Sequence, residues 1–205
     1  MATAQPTAAY LERRADILRA AGEVFYESGY HAASMQKIAD RAGILKPALY
    51  YYVRSKEDLL FELAAGEQSV AFIEQFVDLD QALLDLDAST RLEAIITRWT
   101  DFVKSGQPKA LLAIEREYRH LSSERLETVM ELQSRLPSLF RSILQRGVED
   151  GSFDPAVNIP VAALNISDLL HNLYVSYDPA GPFTIQELTE WHITFVLRGL
   201  GAKRR

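Results

Sequence analysis

The chain has 205 residues, of which 48% are hydrophobic, and it has no cysteine and a formal net charge of −6. This composition favours a folded protein with one large or two small domains, and it excludes disulfides and thiolate metal sites. No apolar run is long enough to span a bilayer, and the first residues lack the apolar core of a signal peptide. We therefore expect a soluble cytoplasmic protein that does not engage a membrane.

The charge is distributed unevenly along the chain. Residues 1–60 contain 8 Lys and Arg against 7 Asp and Glu, whereas the remaining 145 residues contain 14 against 21. Residues 34–56 contain 5 basic residues and 1 acidic residue, which gives this segment a net charge of +4. A basic segment on an acidic body is typical of a protein that touches phosphates with one end, although a solvated helical face would give the same count.

The first two predicted helices carry clear start and stop signals. Apolar residues recur at helical spacing from about Ala9 to Ser28, and Gly29 then ends the first helix. Ser34 is a suitable N-cap for a second, short helix, since its hydroxyl can accept from free amides of the first turn. Gly43 ends that helix in a left-handed conformation, which glycine adopts without steric cost.

A third, short helix follows the glycine. Pro47 suits its first turn, where a missing N–H costs nothing, and Lys46, Tyr50 and Tyr51 are its outward side chains. A short helix that presents cations and phenols, braced by a capped partner helix, is the arrangement of a helix-turn-helix DNA reader.

The rest of the chain is also predicted as helical, which gives an all-α fold of about nine helices with no fixed repeat. Ser55 caps a fourth helix to about Val77, and residues 78–89 form a loop. Pro137 should kink or split the long helix that contains it. The further helices cover about residues 90–104, 108–121, 122–150, 155–175 and 184–200.

Residues 13–60 resemble the DNA-binding domain of the TetR family of one-component transcriptional regulators. The matching residues are Arg14, Ile17, Leu18, Ala20, Ala21, Phe25, Gly29, Tyr30, Ser34, Ile38, Ala39, Ala42, Gly43, Leu49, Tyr50, Ser55, Lys56, Glu57, Leu59 and Leu60. The resemblance implies an all-α homodimer whose last two helices pair across the dimer. It also implies a helix-turn-helix DNA-binding domain at 1–56 and an effector-binding and dimerisation domain at 57–205. Leu45 departs from the family pattern, because helix 3 then lacks the usual polar N-cap.

The resemblance further implies contacts to double-stranded DNA. Helix 3 would enter the major groove, where Lys46 could donate to guanine and Pro47 could contact a thymine methyl. Lys37 and Arg41 are interpreted as ordinary exposed charges. The remaining contacts, mostly to phosphates, are expected from Ser34, Gln36, Tyr50, Tyr51 and Lys56.

Aromatic side chains gather in the second half of the chain. Kinked helices packed around rings can leave a cavity for a small molecule or can form a filled core. The family resemblance favours an effector site, and the Tyr-Asp-Pro-x-Gly-Pro turn at 177–182 is similar to that of regulators that sense acyl-CoA thioesters of lipid, sterol or aromatic catabolism. The candidate effector residues are Trp99, Phe102, Tyr118, Phe140, His171 and Tyr174.

Two carboxylate–imidazole pairs leave an oxidase as the alternative. Glu117 with His120, and Asp168 with His171, each place both groups on one helix face, as in di-iron helical bundles. The set of carboxylate and histidine ligands found in such bundles is incomplete here. The sequence also lacks the motifs of phosphate-binding loops, hydrolases and zinc proteases. We therefore expect no metal, no cofactor and no enzyme activity. The favoured hypothesis is a repressor that binds a near-palindromic operator and is released by a small molecule.

Overall fold

The computed structural model of the protein describes residues 7–105 and 114–202. All secondary structure assigned in these residues is helical, which confirms the predicted all-α class. None of the helices described has both the length and the apolar character needed to cross a bilayer. The helices in the described ranges are α1 (Ala8–Ala32), α2 (Met35–Arg41), α3 (Lys46–Tyr52), α4 (Lys56–Ala65), α5 (Glu67–Ala82), α6 (Ala88–Lys104), a 3₁₀ helix (Tyr118–His120), α7 (Ser123–Gln133), α8 (Arg135–Glu149), α9 (Ile159–Ser176) and α10 (Ile185–Gly199).

The chain divides into two compact units. Unit 1 comprises Met1–Ser69 and Lys109–Met130, and unit 2 comprises Val70–Pro108 and Glu131–Arg205. Unit 1 thus includes α4 and most of α7 in addition to the helix-turn-helix segment. Compactness does not fix functional borders, so the division into domains at 1–56 and 57–205 stays a prediction.

The core of unit 1 is formed by apolar side chains at helical spacing. Ile17 and Phe25 of α1, Ile38 of α2, Leu49 of α3 and Leu59 of α4 are all at most 1% exposed. Burying a side chain of this size stabilises the fold by about 1.5–3 kcal/mol. The later segment of the unit adds Ile114, Leu121 and Val129 to the same core.

Two helix ends near glycines differ from the prediction. Gly29 has non-helical backbone angles (φ 73°, ψ 163°), yet helical geometry resumes to Ala32, so this glycine kinks α1 instead of ending it. The single helix predicted from Ser55 to Val77 is wrong, because Gly66 is extended and separates α4 from α5. A Cβ at Gly66 would lie 2.3 Å from the carbonyl oxygen of Glu62, so only glycine fits this break.

The predicted loop after residue 77 is shorter than expected. Helix α5 continues to Ala82, and α6 already begins at Ala88, where the carboxylate of Asp87 accepts from the backbone N–H of Thr90 at 3.1 Å. At the end of α5, Asp80 and Arg91 form a buried two-bond ion pair, with both N···O distances 2.8 Å. Such a pair fixes the register of the two helices, since neither charge can be left alone in the core.

Prolines define the ends of the later helices. The predicted split near Pro137 is confirmed, and α8 begins at Arg135, so the proline lies in its first turn, where its ring is tolerated. Pro160 likewise lies in the first turn of α9 and does not interrupt it, and this helix starts at Ile159, not at Pro155. The predicted helix start at Pro108 lies outside the described residues. The end of that predicted helix is the 3₁₀ helix Tyr118–His120.

Candidate nucleic-acid interface and effector site

The helix-turn-helix segment has the predicted local geometry. The Ser34 hydroxyl accepts from the backbone N–H of Lys37 at 3.2 Å and caps α2. Gly43 has a φ of 66°, and the following N–H, of Ile44, returns to the carbonyl of Ala39 at 3.0 Å. This closes the turn between α2 and α3 as an αL helix end. As expected, α3 has no side-chain cap at Leu45.

Helix α3 presents one face to the core and the other to solvent. Leu49 is fully buried and anchors the helix. On the opposite side Lys46 and Pro47 are exposed, Tyr50 is 48% exposed and Tyr51 is 74% exposed. The predicted base-reading residues and the two phenols therefore share one solvent-facing surface, which we call the recognition surface.

Three tyrosine rings pack at the edge of the recognition surface. The Tyr10 ring stacks on that of Tyr52 with centroids 5.1 Å apart, and it meets the Tyr51 ring edge-on at 5.9 Å. Tyr10 was missed from the sequence, because it lies on α1, far from the motif in the chain. Its contacts orient the Tyr51 ring and leave that residue largely exposed.

The two α2 candidates already make bonds within the protein. Ser34 is exposed but uses its oxygen for the cap, and the Gln36 amide nitrogen donates to the Asp40 carboxylate at 2.7 Å. In the cap the Ser34 oxygen accepts a hydrogen bond, so its O–H hydrogen can still be donated to a phosphate. Contact of both residues with DNA stays a prediction.

Arg41 is neutralised by α1. Its guanidinium donates to Glu23 at 3.0 Å and to Glu27 at 2.5 Å. The hydrogen bond from Arg41 lowers the pKa of Glu27, and the same two carboxylates raise the pKa of Arg41. The charge balance of +4 in residues 34–56 therefore overstates the positive charge that DNA would meet.

The other four cations of this segment divide into two pairs. Lys37 and Lys56 donate to backbone carbonyls, whereas Lys46 and Arg54 form no side-chain hydrogen bond or ion pair with any described residue. Within this segment, the cations available to phosphates or bases therefore lie at the two ends of α3, Lys46 at its start and Arg54 just beyond its end.

Lys56 points into the protein. Its ammonium donates to the carbonyls of Tyr30 at 2.6 Å and Ala33 at 2.9 Å, and it lies 4.3 Å from the centroid of the Tyr30 ring. Partial removal from water lowers the pKa of Lys56, and attraction to Glu117 opposes that shift. From the sequence we predicted only a phosphate contact for Lys56, and we missed these bonds between α4 and the end of α1.

The candidate effector rings form an aromatic cluster in unit 2. Trp99 packs against Phe76 with ring centroids 5.6 Å apart, and its indole N–H donates to the carbonyl of Leu170 at 2.9 Å. The Phe102 ring stacks on the Tyr174 ring at 5.9 Å. Phe72 of α5, which the sequence did not single out, lies 4.3 Å from Phe102 and completes the cluster. His171 lies at its edge, 6.3 Å from Tyr174.

Two candidate effector residues are placed elsewhere. Tyr118 belongs to unit 1, where it packs against that unit's core, and burial raises its pKa. Phe140 is 2% exposed in α8 and makes no ring contact with the aromatic cluster among the described residues. The six candidates are therefore not brought together within one unit.

A surface cleft of about 280 Å³ lies at the turn singled out from the sequence. Its lining mixes polar and apolar side chains from the end of α9, the turn and α10. It is lined by Asn172, Leu173, Ser176, Tyr177, Asp178, Gly181, Pro182, Phe183, Leu188 and His192.

The oxidase alternative is not supported. The Nε2 of His120 lies 3.2 Å from a carboxylate oxygen of Glu117 in unit 1, and the His120 ring stacks on Tyr30 with centroids 4.7 Å apart. Asp168 and His171 belong to unit 2. In the described ranges no group of three or more potential ligands is arranged to hold a metal ion.

Two family models match the chain. Residues 17–63 match the model of bacterial regulatory proteins of the tetR family, and residues 85–200 match that of the tetracyclin repressor-like C-terminal domain. A relative of similar length is the HTH-type transcriptional repressor KstR2 of Rhodococcus jostii, 28% identical over 193 residues, with 93% of this chain and 92% of the relative covered.

Solved structures of similar fold include the ketosteroid transcriptional regulator KstR2 of Mycobacterium tuberculosis. It superposes with a TM-score of 0.77 at 26% identity and covers 94% of this chain and 96% of its own. AibR in complex with isovaleryl coenzyme A and operator DNA also has a TM-score of 0.77, at 22% identity, with 89% of this chain and 97% of that chain covered. At that identity the likeness concerns the fold alone.

We expect Lys56→Ala to lower the free energy of unfolding by about 2 kcal/mol, because two charge-assisted bonds to backbone carbonyls are lost. Denaturant unfolding measures this. Lys46→Ala is the matched control, and it should change the stability by less than about 0.5 kcal/mol. A Lys56→Ala protein of unchanged stability whose DNA binding loses about one unit of salt slope would instead identify Lys56 as a phosphate contact.

Proposed function

Because the chain belongs to the TetR family of DNA-binding transcriptional regulators, we propose that it is a cytoplasmic repressor that binds a near-palindromic operator as a homodimer. The observation that carries this proposal is the recognition surface of α3, where Lys46, Pro47 and Tyr51 are exposed on a helix that the buried Leu49 anchors. The relative KstR2 is named a repressor, which supports repression instead of activation for this chain.

In this proposal α3 enters the major groove. Lys46 donates to the O6 or N7 of guanine, and Pro47 contacts a thymine methyl group. The hydroxyls of Tyr50 and Tyr51 donate to phosphates on either side and set the register of the helix. Ser34 and Gln36 at the start of α2 add contacts at the groove edge.

The homodimer is proposed to form through α9 and α10. Trp191 and Phe195 lie four residues apart on α10 and are 65% and 60% exposed, while Val161 and Leu164 on α9 are 50% and 58% exposed. Residues at these spacings share one helix face. Large apolar faces of this kind on a folded protein mark sites of association. A two-fold pair would present two copies of α3 to successive half-sites.

The proposed effector is an acyl-CoA thioester. The aromatic cluster around Trp99 and Phe102 offers an apolar environment for the acyl group, and the cleft beside Tyr177 adds hydrogen-bonding groups such as Asn172 and Ser176. The turn at 177–182, which is similar to that of regulators that sense acyl-CoA thioesters, supports this chemical class. Bound effector releases DNA only through its differential affinity for the DNA-free state, and a coupling of about 1–3 kcal/mol gives a usable switch.

Lys46→Ala should lower discrimination between the operator and random duplex by about 1–3 kcal/mol, because a base-reading donor is lost. Titration of fluorescently labelled DNA at fixed salt measures both affinities. Lys104→Ala is the matched control, an exposed lysine on α6 that should leave both unchanged. Undiminished operator preference in Lys46→Ala would contradict the proposed readout.

Replacing Trp191 and Phe195 together with Asp should convert the dimer to a monomer at micromolar concentration, because each dimer would bury four carboxylates in an apolar contact. Analytical ultracentrifugation gives the mass. Leu84→Asp changes an apolar residue that is 52% exposed outside α9 and α10, and it should leave the dimer intact. A wild-type monomer, or a dimer that survives the double change, would contradict the proposed interface.

An acyl-CoA of the right chain length should both raise the melting temperature of the free protein and release labelled operator DNA. A panel running from isovaleryl-CoA to long-chain and steroid-derived acyl-CoAs tests this in thermal-shift and DNA-release assays. Free coenzyme A serves as the control for headgroup binding alone. By linkage, the factor by which the effector lowers the affinity for DNA equals the factor by which DNA lowers the affinity for the effector. If no acyl-CoA in the panel has both effects, the proposed effector class is wrong.

A further inference from the structure

The side chain of Leu45, the residue that precedes α3, contributes to neither the helix cap nor the core. Its backbone is extended, as at an N-cap (φ −73°, ψ 141°), and its carbonyl accepts from the backbone N–H groups of Ala48 at 2.9 Å and Leu49 at 3.2 Å. The leucine has no side-chain atom that can cap the helix. It is 79% exposed, more than any other large hydrophobic residue in the ranges that the structure describes.

The missing cap makes α3 less stable than its neighbours in the chain. The helices before and after it, α2 and α4, are capped by the hydroxyls of Ser34 and Ser55. A hydroxyl, carboxylate or amide side chain at the N-cap stabilises a helix, whereas leucine does not. Because α3 has only seven residues, it depends on such help more than a long helix does. A residue that breaks a local folding rule in this way is typical of a functional position.

The surroundings of Leu45 match the chemistry of the DNA major groove. Pro47 and Ala48 are also exposed, so three apolar residues surround Lys46 at the start of α3. In helix-turn-helix proteins the N-terminal residues of the recognition helix contact base edges, and thymine alone presents a methyl group in the major groove. A protein partner fits this surface less well, because the core of a protein interface is depleted of charge and Lys46 would be buried there. DNA offers acceptors for Lys46 beside the methyl group.

We propose that Leu45 is a specificity-determining residue, which selects a thymine in each operator half-site by packing against its C5-methyl group. The inference rests on the proposed function, and it adds a base contact that a polar cap at this position would not make. Contact between the leucine and the methyl group removes apolar surface of both from water, which favours thymine over bases that lack the methyl. This thymine is additional to the one that Pro47 contacts and to the guanine that Lys46 reads.

Deoxyuridine substitution isolates the methyl group, because uracil pairs as thymine does and lacks only the C5-methyl. The probe is operator DNA selected by the wild-type protein, in which each thymine of the half-site is replaced in turn, symmetrically in both half-sites. For wild type, one replacement should lower the affinity by about fourfold per half-site through Leu45, as expected for one buried methyl group. In Leu45→Ser the same replacement should change the affinity by less than about 1.5-fold, whereas the loss at the thymine that Pro47 contacts should persist.

The melting temperature and two further variants separate recognition from folding. Serine restores a cap, so Leu45→Ser should melt about 2–4 °C above wild type although it no longer recognises the methyl group. Leu45→Met keeps the apolar bulk and should keep the loss of affinity on deoxyuridine substitution. Leu84→Ser is the matched control, at a leucine that is 52% exposed between α5 and α6, and it should behave as wild type in every titration.

Several outcomes would overturn the inference. One is a selected half-site without thymine, and another is a set of deoxyuridine effects that is the same in wild type and Leu45→Ser. A Leu45→Ser protein that melts below wild type would also overturn it, because the leucine would then serve the fold. The proposed function survives these outcomes as long as wild type selects an operator. A wild-type protein that selects no sequence would overturn the proposed function and this inference with it.

Discussion

The placement of the recognition helix depends on the first turn of α4. Lys56 holds the carbonyls of Tyr30 and Ala33 at the end of α1, and Asp58 holds the backbone N–H of Arg54 just beyond α3. Because α3 has only seven residues and lacks a side-chain cap, it cannot maintain its position by itself. Burial of Leu49 fixes which face of α3 points inward, and the bond from Asp58 fixes the backbone just beyond its C-terminal end.

Hydrogen bonds and ion pairs within the protein reduce the positive charge that residues 34–56 present to DNA. The count of basic residues in 34–56 predicts a strong positive patch, but Arg41 is paired with two glutamates, and Lys37 and Lys56 are bound to carbonyls. The cations left for DNA stand at the ends of α3. Because most cations of this segment already bind groups within the protein, it gains little from nonspecific attraction to DNA, and binding should depend on the fit of two copies of α3 into the grooves.

Local chemistry made much of the fold predictable. Ser34 and Gly43 predicted both ends of α2, Pro47 predicted the start of α3, and Thr184 predicted the last helix, where it forms a reciprocal capping pair with Glu187. These signals act within four residues of chain. The all-α class followed from the 3.6-residue period of apolar positions, which the helices bury as expected.

What the sequence did not predict depends on contacts between distant positions. Arg125 meets Asp58 across 67 residues, and the Tyr10 ring packs on α3 from the start of α1. The break at Gly66 was missed because a glycine within a helical pattern is often tolerated, and only the close approach of Glu62 shows why it is required here. Tyr118 was grouped with the effector rings by residue type, although its segment packs in unit 1.

The most direct test of the account is selection of binding sites by the purified wild-type protein from random duplex DNA at moderate ionic strength. Two identical recognition helices should enrich an inverted repeat whose half-site centres are about 10 base pairs, or a multiple of that, apart. A selected pool indistinguishable from the starting pool would contradict the claim that this chain reads DNA through α3.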